Sequence, residues 1–185
     1  MDGALWRTDA GNRALLLRSA GSRIHRMVTL PDQRTVYAGY DNGDVIAIDT
    51  KSWQQEPILH AAGAIQEIAI TGDGRTIAIA TSDGTIHVGT QHEGTSTSTR
   101  TIWARFAARA RDLALTPDGV LIVACTDGTI WLYSPSHHRW LCLPTGTVDL
   151  AWTAITADGH TAAAVDLEGR LLWIDLDAIR KQLGI

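Results

Sequence analysis

Cysteine is scarce in this sequence. Its 185 residues contain two, Cys125 and Cys142, too few for a disulfide scaffold, and both read as small buried thiols in a reducing compartment. No apolar run approaches the roughly 20 residues of a membrane-spanning helix, which excludes an integral membrane protein of that kind. Met1-Asp2-Gly3-Ala4 lacks the basic and then apolar opening of a secretory leader, so a cytoplasmic location is expected. Basic charge is not in excess. Sixteen Lys and Arg stand against 20 Asp and Glu, a formal net charge of −4, whereas binding to phosphate backbones needs a basic face. Nucleic acid is therefore not expected as the main partner.

The signatures of chemistry are missing too. There is no Gly-x-Ser-x-Gly elbow, no phosphate loop and no His-Glu-x-x-His helix. Without a Cys-x-x-Cys pair a structural zinc site is not expected. His137-His138 is the only clustered histidine pair, and adjacent residues on a turn diverge too much to share one metal. Asp41-Asn42-Gly43-Asp44 lacks the trailing acidic ligand of a calcium loop and reads as a turn. Cys125 has no histidine near it in sequence to act as a base. No catalytic residue, cofactor or metal is expected, and the chain is not expected to be an enzyme.

What is present is a globular composition, 45% hydrophobic and 19% charged, of a size for one domain, and a repeat. Asp-Gly-type turns recur with Gly3, Gly43, Gly84, Gly128 and Gly169 in equivalent places, spaced 40, 41, 44 and 41 residues apart. A second series runs in phase: Pro31-Asp32, Gly72-Asp73-Gly74, Pro117-Asp118-Gly119 and Ala157-Asp158-Gly159. Pro presets φ, Asp bonds its own backbone and Gly accepts positive φ, so each is a turn with a mechanism. Between turns lie short apolar segments, four to a repeat. In the third copy they are 112–116, 120–126, 129–133 and 139–143. The runs Ile77-Ala78-Ile79-Ala80 and Leu121-Ile122-Val123-Ala124 are read as the innermost strands, buried on both faces. The third strands carry a large residue, as in Ile130-Trp131-Leu132-Tyr133 and Leu172-Trp173-Ile174-Asp175, expected to cover the space between neighbouring sheets. Helical spacing appears only in 175–185, where Leu176, Ile179 and Leu183 share a face, with Asp177 as a candidate cap and Gly184 as the stop.

A period near 41 residues with four strands per unit resembles the WD-repeat β-propeller family. The resemblance rests on Thr116-Pro117-Asp118-Gly119, Ser82-Asp83-Gly84-Thr85-Ile86, Thr126-Asp127-Gly128-Thr129-Ile130-Trp131 and Leu171-Leu172-Trp173-Ile174-Asp175, and it runs over nearly the whole chain. The family's Gly-His pair is absent throughout, and its closing Trp-Asp pair is approximated only by Trp173-Ile174-Asp175, as in degenerate bacterial versions. The resemblance implies an all-β fold of four-stranded antiparallel blades. About four blades are expected, in three parts: 1–22 as outer strands of an incomplete blade; 23–63, 64–109, 110–147 and 148–176 as blades; and 177–185 as a short helix.

Seventeen strands do not close evenly into a ring. The expectation is the C-terminal half of a propeller cut within a blade, its ring completed by another half-propeller chain or by a second copy of this chain. Uncovered sheet faces at the two ends argue for such a partner. Trp6 and Leu15 to Leu17 are expected to face the missing part. In the family, partners bind the face that carries the entrances to the first strands and the first-series turns. The entrances here are His25-Arg26, Gln66-Glu67, Arg111-Asp112 and Ala151-Trp152, and the turns hold Asp41, Ser82, Thr126 and Leu167. Trp152, with Leu167 near it, breaks an otherwise polar pattern and is the leading protein-binding candidate. Tyr40 and Arg111 are weaker candidates. The polar stretch 93–100 reads as a flexible loop. The function expected is a non-enzymatic scaffold or regulatory subunit acting through protein–protein contacts. The alternative is the sensor or regulatory part of a bacterial signalling or antiviral defence effector, linked to a caspase-like peptidase, kinase or NTPase and present as a split or processed half.

Overall fold

A computed structural model of the chain describes residues 4–9, 12–18, 22–90, 98–102 and 108–184, with side chains described for 22–90 and 108–184. The strands form five antiparallel sheets in sequence order. The first has two strands, β1 (Ala4–Asp9) and β2 (Asn12–Arg18). The second runs β3 (Ile24–Thr29), β4 (Thr35–Tyr40), β5 (Asp44–Asp49) and β6 (Gln55–His60). The third runs β7 (Ile65–Ile70), β8 (Thr76–Thr81), β9 (Ile86–Thr90) and β10 (Ser98–Ile102). The fourth runs β11 (Ala110–Leu115), β12 (Leu121–Cys125), β13 (Thr129–Ser134) and β14 (Arg139–Pro144). The last has three, β15 (Leu150–Ile155), β16 (Thr161–Asp166) and β17 (Leu171–Asp175), followed by helix α1 (Leu176–Leu183).

Each sheet is a meander of neighbouring strands, so its pairing is local in sequence. The turns hold it in register through their aspartates. Asp32, Asp73 and Asp158 accept from the backbone N–H two residues on, at 2.9, 3.0 and 3.0 Å. Thr71 and Thr156 donate their hydroxyls to Asp73 and Asp158 at 2.7 and 2.5 Å. In the first-series turns Gly128 has φ +79°, and a Cβ there would lie 1.7 Å from the carbonyl oxygen of Thr147. No other residue fits, and the Gly128 carbonyl uses that closeness to accept from Thr145 N–H at 3.2 Å.

The first strands β3, β7, β11 and β15 lie beside one another in that order and so form the inner side of the array. This corrects the placement of the runs 77–80 and 121–124. They lie in β8 and β12, the second strands, whose side chains are almost all buried because sheets cover them on both faces. Each joint between sheets is a hydrophobic cluster. Val45, Ala47 and Tyr37 of the β3–β6 sheet meet Ile65, Ile68, Ile77 and Ile79 of the next. Ala80, Ile86 and Val88 of that sheet meet Leu113, Leu121, Val123 and Cys125. Ile122, Ala124, Ile130 and Leu132 meet Leu150, Ala162, Ala164 and Ile174 of the last sheet. At the first of these joints a Cβ on Gly39 would stand 2.4 Å from Ile65 Cγ2, so the glycine sets how closely the two sheets approach.

Helix α1 packs Leu176, Ile179 and Leu183 into the last of these clusters. Its N-cap is Asp175, which accepts from the N–H groups of Asp177 and Ala178 at 3.0 and 3.0 Å, and its C-cap is Gly184 in the left-handed conformation. The candidate cap Asp177 is instead a first-turn residue, because the cap must have an extended backbone and Asp175, ending β17, has it. Asp177 pairs with His160 and Arg180 at 3.0 and 3.0 Å.

Candidate protein-interaction face

Bulges at the entrance of each first strand fix which residues are equivalent. The register shifts fall between Ile24 and Arg26, Ile65 and Glu67, Ala110 and Asp112, and Leu150 and Trp152. Arg26, Glu67, Asp112 and Trp152 are therefore one structural position on four successive sheets.

In the second, third and fourth sheets this position carries charge. The Arg26 guanidinium lies against the Glu67 carboxylate and 4.0 Å from Asp112. Asp112 in turn accepts from Thr153 of the last sheet. Both carboxylates are largely buried. Burial, reinforced by the nearby Asp112 and opposed by Arg26, pushes the Glu67 carboxyl up to about 7. At the rim Arg23 and His25 pair with Asp41 at 3.0 and 2.5 Å, and Arg111 pairs with Asp149 at 3.0 Å.

The last sheet replaces that charge with an indole. Trp152 is 65% exposed. Pairing places it beside Val165 and Leu171, while the next row on the same face holds Ala154, Ala163 and Trp173. Trp173 is 69% and Leu171 56% exposed, and Val148 and Leu167 stand exposed at the turns beside them. The result is an exposed apolar sheet face whose flanking turns add Val148 and Leu167.

The sequence candidates separate here. Trp152 and Leu167 lie together at this end. Arg111 is exposed at the rim of the preceding joint, tied to Asp149. Tyr40 does not belong with them. It is 1% exposed, clustered with Ala38 and Ile48 on the other face of its sheet, and burial raises its phenol. The turn that follows it makes it look exposed in sequence, but its pairing with Ile24 turns it inward. Sequence reasoning missed Trp173 as a surface residue: it was expected to be covered between sheets, as Trp131 partly is.

Cys125 is buried and its thiol is pushed up to about 11 by that burial, while Cys142 is half-buried. Asn42 and Asp44 bond each other across a turn at 2.6 Å. His137 Nδ1 bonds Ser134 and Ser136, and His138 Nδ1 bonds Tyr133 Oη at 3.2 Å. Among the described residues no three His, Cys, Asp or Glu side chains stand close enough to hold a metal, and no helix is long and apolar enough to cross a membrane. The side chains of Trp6, Leu15 to Leu17 and the loop within 93–100 lie outside the described residues.

Residues 104–134 match the family model WD40, described as "WD domain, G-beta repeat". The β-propeller domain of Myceliophteria thermophila Cps50 (Swd1) superposes with a TM-score of 0.78 over 95% of this chain, at 14% identity. The fold is that of a β-propeller, and the WD-repeat match falls on one of its repeats, residues 104–134. Kuenenia stuttgartiensis hydrazine synthase also superposes, with a TM-score of 0.68 over 84% of the chain at 15% identity. Both likenesses concern the propeller fold. The chain spans 64% of the first structure and 46% of the second. No curated protein matches the sequence. As a propeller, the array is open at its last blade among the described residues, and the face bearing Trp152 and Trp173 is the side of that blade turned away from its neighbour.

Proposed function

We propose that this chain is a non-enzymatic protein-interaction module whose partner engages the last blade. One observation carries the reading: two tryptophans and a leucine, each more than half exposed, share one sheet face. Monomeric proteins seldom leave an apolar patch of several hundred Å² open, and tryptophans are the residues most enriched at binding hot spots. Trp152 and Leu167 are its anchors on this reading, with Arg111 as a polar contact at the rim. The absence of the usual catalytic signatures from the sequence agrees with a scaffold or regulatory role. No observation favours a signalling or defence effector over it.

The test is the native mass of the tagged chain, alone and recovered from its host. The reading expects a defined complex with a protein, lost in the double variant Trp152→Ser, Trp173→Ser while circular dichroism stays unchanged. A chain that stays monomeric and partner-free in both forms refutes it.

A further inference from the structure

Three charges stand together on the inner strands, and they do not cancel. Arg26, Glu67 and Asp112 hold the equivalent position on β3, β7 and β11, with β7 between the other two. Glu67 and Asp112 are buried, whereas Arg26 is about half exposed. Two ionised carboxylates facing one guanidinium leave one negative charge over, in a place that water reaches poorly. Burial and like charge both disfavour that form and favour uptake of one proton.

The guanidinium has two acceptors within reach. Its Nε lies against Glu67 Oε1, and its Nη2 is 4.0 Å from Asp112 Oδ1. The second distance exceeds a hydrogen bond by only about 1 Å. Asp112 gives its other oxygen, Oδ2, to Thr153 N–H and Oγ1. Its Oδ1 can therefore take Arg26 while the bonds to Thr153 stay in place.

We propose that Arg26 is a proton-operated tie between blades: with Glu67 ionised it joins β3 to β7, and with Glu67 protonated it moves to Asp112 and joins β3 to β11 across β7. The proton comes from solvent and settles on a carboxyl oxygen of Glu67. The cluster then passes from one net negative charge to none, and Arg26 keeps a carboxylate partner in both states. Burial pushes the Glu67 carboxyl up to about 7, which puts the exchange in the neutral range. Acid favours the Asp112 tie and alkali the Glu67 tie.

The surrounding charges are engaged elsewhere. Glu67 is faced by Arg26 from β3 and Asp112 from β11, and it accepts from the Ile68 N–H of its own strand. On β3 and just before it, His25 and Arg23 pair with Asp41. On β11, Arg111 pairs with Asp149. From β15 the group that meets Asp112 is Thr153, which carries no charge.

The test is a pair of double-mutant cycles on the full chain, measured by urea unfolding at pH 5 and at pH 9. Glu67→Gln and Asp112→Asn remove charge at constant shape, and Asn at 112 still accepts from Thr153. Arg26→Met removes the guanidinium. The Arg26–Glu67 coupling is expected to change the folding equilibrium constant about fivefold or more at pH 9 and less than about twofold at pH 5. The Arg26–Asp112 coupling should run the other way, larger at pH 5 by at least about threefold. Couplings that ignore pH, or that rise and fall together, overturn the proposal. A second readout needs no Arg26 variant: the nitrogen-15 resonance of Arg26 Nε followed from pH 5 to pH 9. It should titrate with the Glu67 carboxyl, and in Glu67→Gln it should stay at the acid position of the unmodified protein. A resonance that does not move, or that moves alike in Glu67→Gln, overturns the tie.

Discussion

Asp112 accepts two hydrogen bonds from one residue of the following blade, from Thr153 N–H at 2.6 Å and from Thr153 Oγ1 at 3.0 Å. The two residues are 41 positions apart, one repeat, so the bond ties equivalent strands of successive blades. Asp112→Ala strands the Thr153 amide in a half-buried site. The expected loss is about 1–3 kcal/mol in urea denaturation. A cycle with Thr153→Val should show coupling of about 0.5–3 kcal/mol, and strict additivity would refute the link.

Glu67 makes stability depend on pH with a definite sign. Its folded carboxyl is pushed up to about 7, chiefly by burial, from an ordinary value of 4.5. The unfolded chain therefore releases this proton first, and stability falls as pH rises from about 4.5 through 7. Glu67→Gln removes that slope. At pH 8 the variant is expected to be more stable by up to about 3 kcal/mol, and at pH 4 nearly unchanged. Melting curves across that range check it, with parallel profiles for the two proteins as the opposing result. His87 acts at the other end. Burial lowers its imidazole, with Asp83 opposing, so it contributes stability above its ordinary value of 6.5 that is lost on acidification.

Gly39→Ala places a methyl 2.4 Å from Ile65 Cγ2 and 3.0 Å from Ile68 Cδ1. Both neighbours belong to the packed joint, so the blades must part. A cost of about 1–3 kcal/mol is expected by thermal or urea unfolding. An unchanged midpoint would mean that the joint is looser than the packing of these side chains shows.

Asp175→Ala removes the acceptor shared by the Asp177 and Ala178 amides. A loss of about 0.5–2 kcal/mol is expected, with Asp175→Asn close to neutral. Faster hydrogen exchange at residues 177–178 is the direct readout. Asp177→Ala should leave those amides protected.

The cysteines differ in access. Iodoacetamide at pH 8 is expected to modify Cys142 in the folded protein and to leave Cys125, whose thiol burial pushes up to about 11, until unfolding. Peptide mapping of the modified protein distinguishes them.

Most of the architecture was legible because turns are local. Gly43, Gly84, Gly128 and Gly169, with the aspartates beside them, announce the repeat and its phase, and the seventeen strands follow from them. Direction across a strand was harder. Tyr40 abuts a polar turn yet faces inward, because a bulge resets the alternation at Ile24 and Arg26. Trp173 stands one position past Leu172, the equivalent of Trp131, so it faces the opposite side of its blade, the side that is open among the described residues. The run 77–80 was read as innermost from its apolarity. A second strand is equally apolar, since sheets cover it on both sides. The sequence pattern points to Asp177 as the helix cap, whereas the cap is Asp175, decided by backbone conformation, which composition does not encode.

Helix α1 does more than end the chain. Arg180 reaches back to Asp118 at 2.9 and 3.0 Å, and Arg139 donates to the Leu183 carbonyl at 2.7 Å, so the helix grips the fourth sheet while growing out of the fifth. In an array held by nearest-neighbour contacts, opening starts at the weakest joint. The helix is a clasp across the final joint. It makes the blade that offers the open face a fixed platform, and it shifts the first step of unfolding toward the joints that have no such brace.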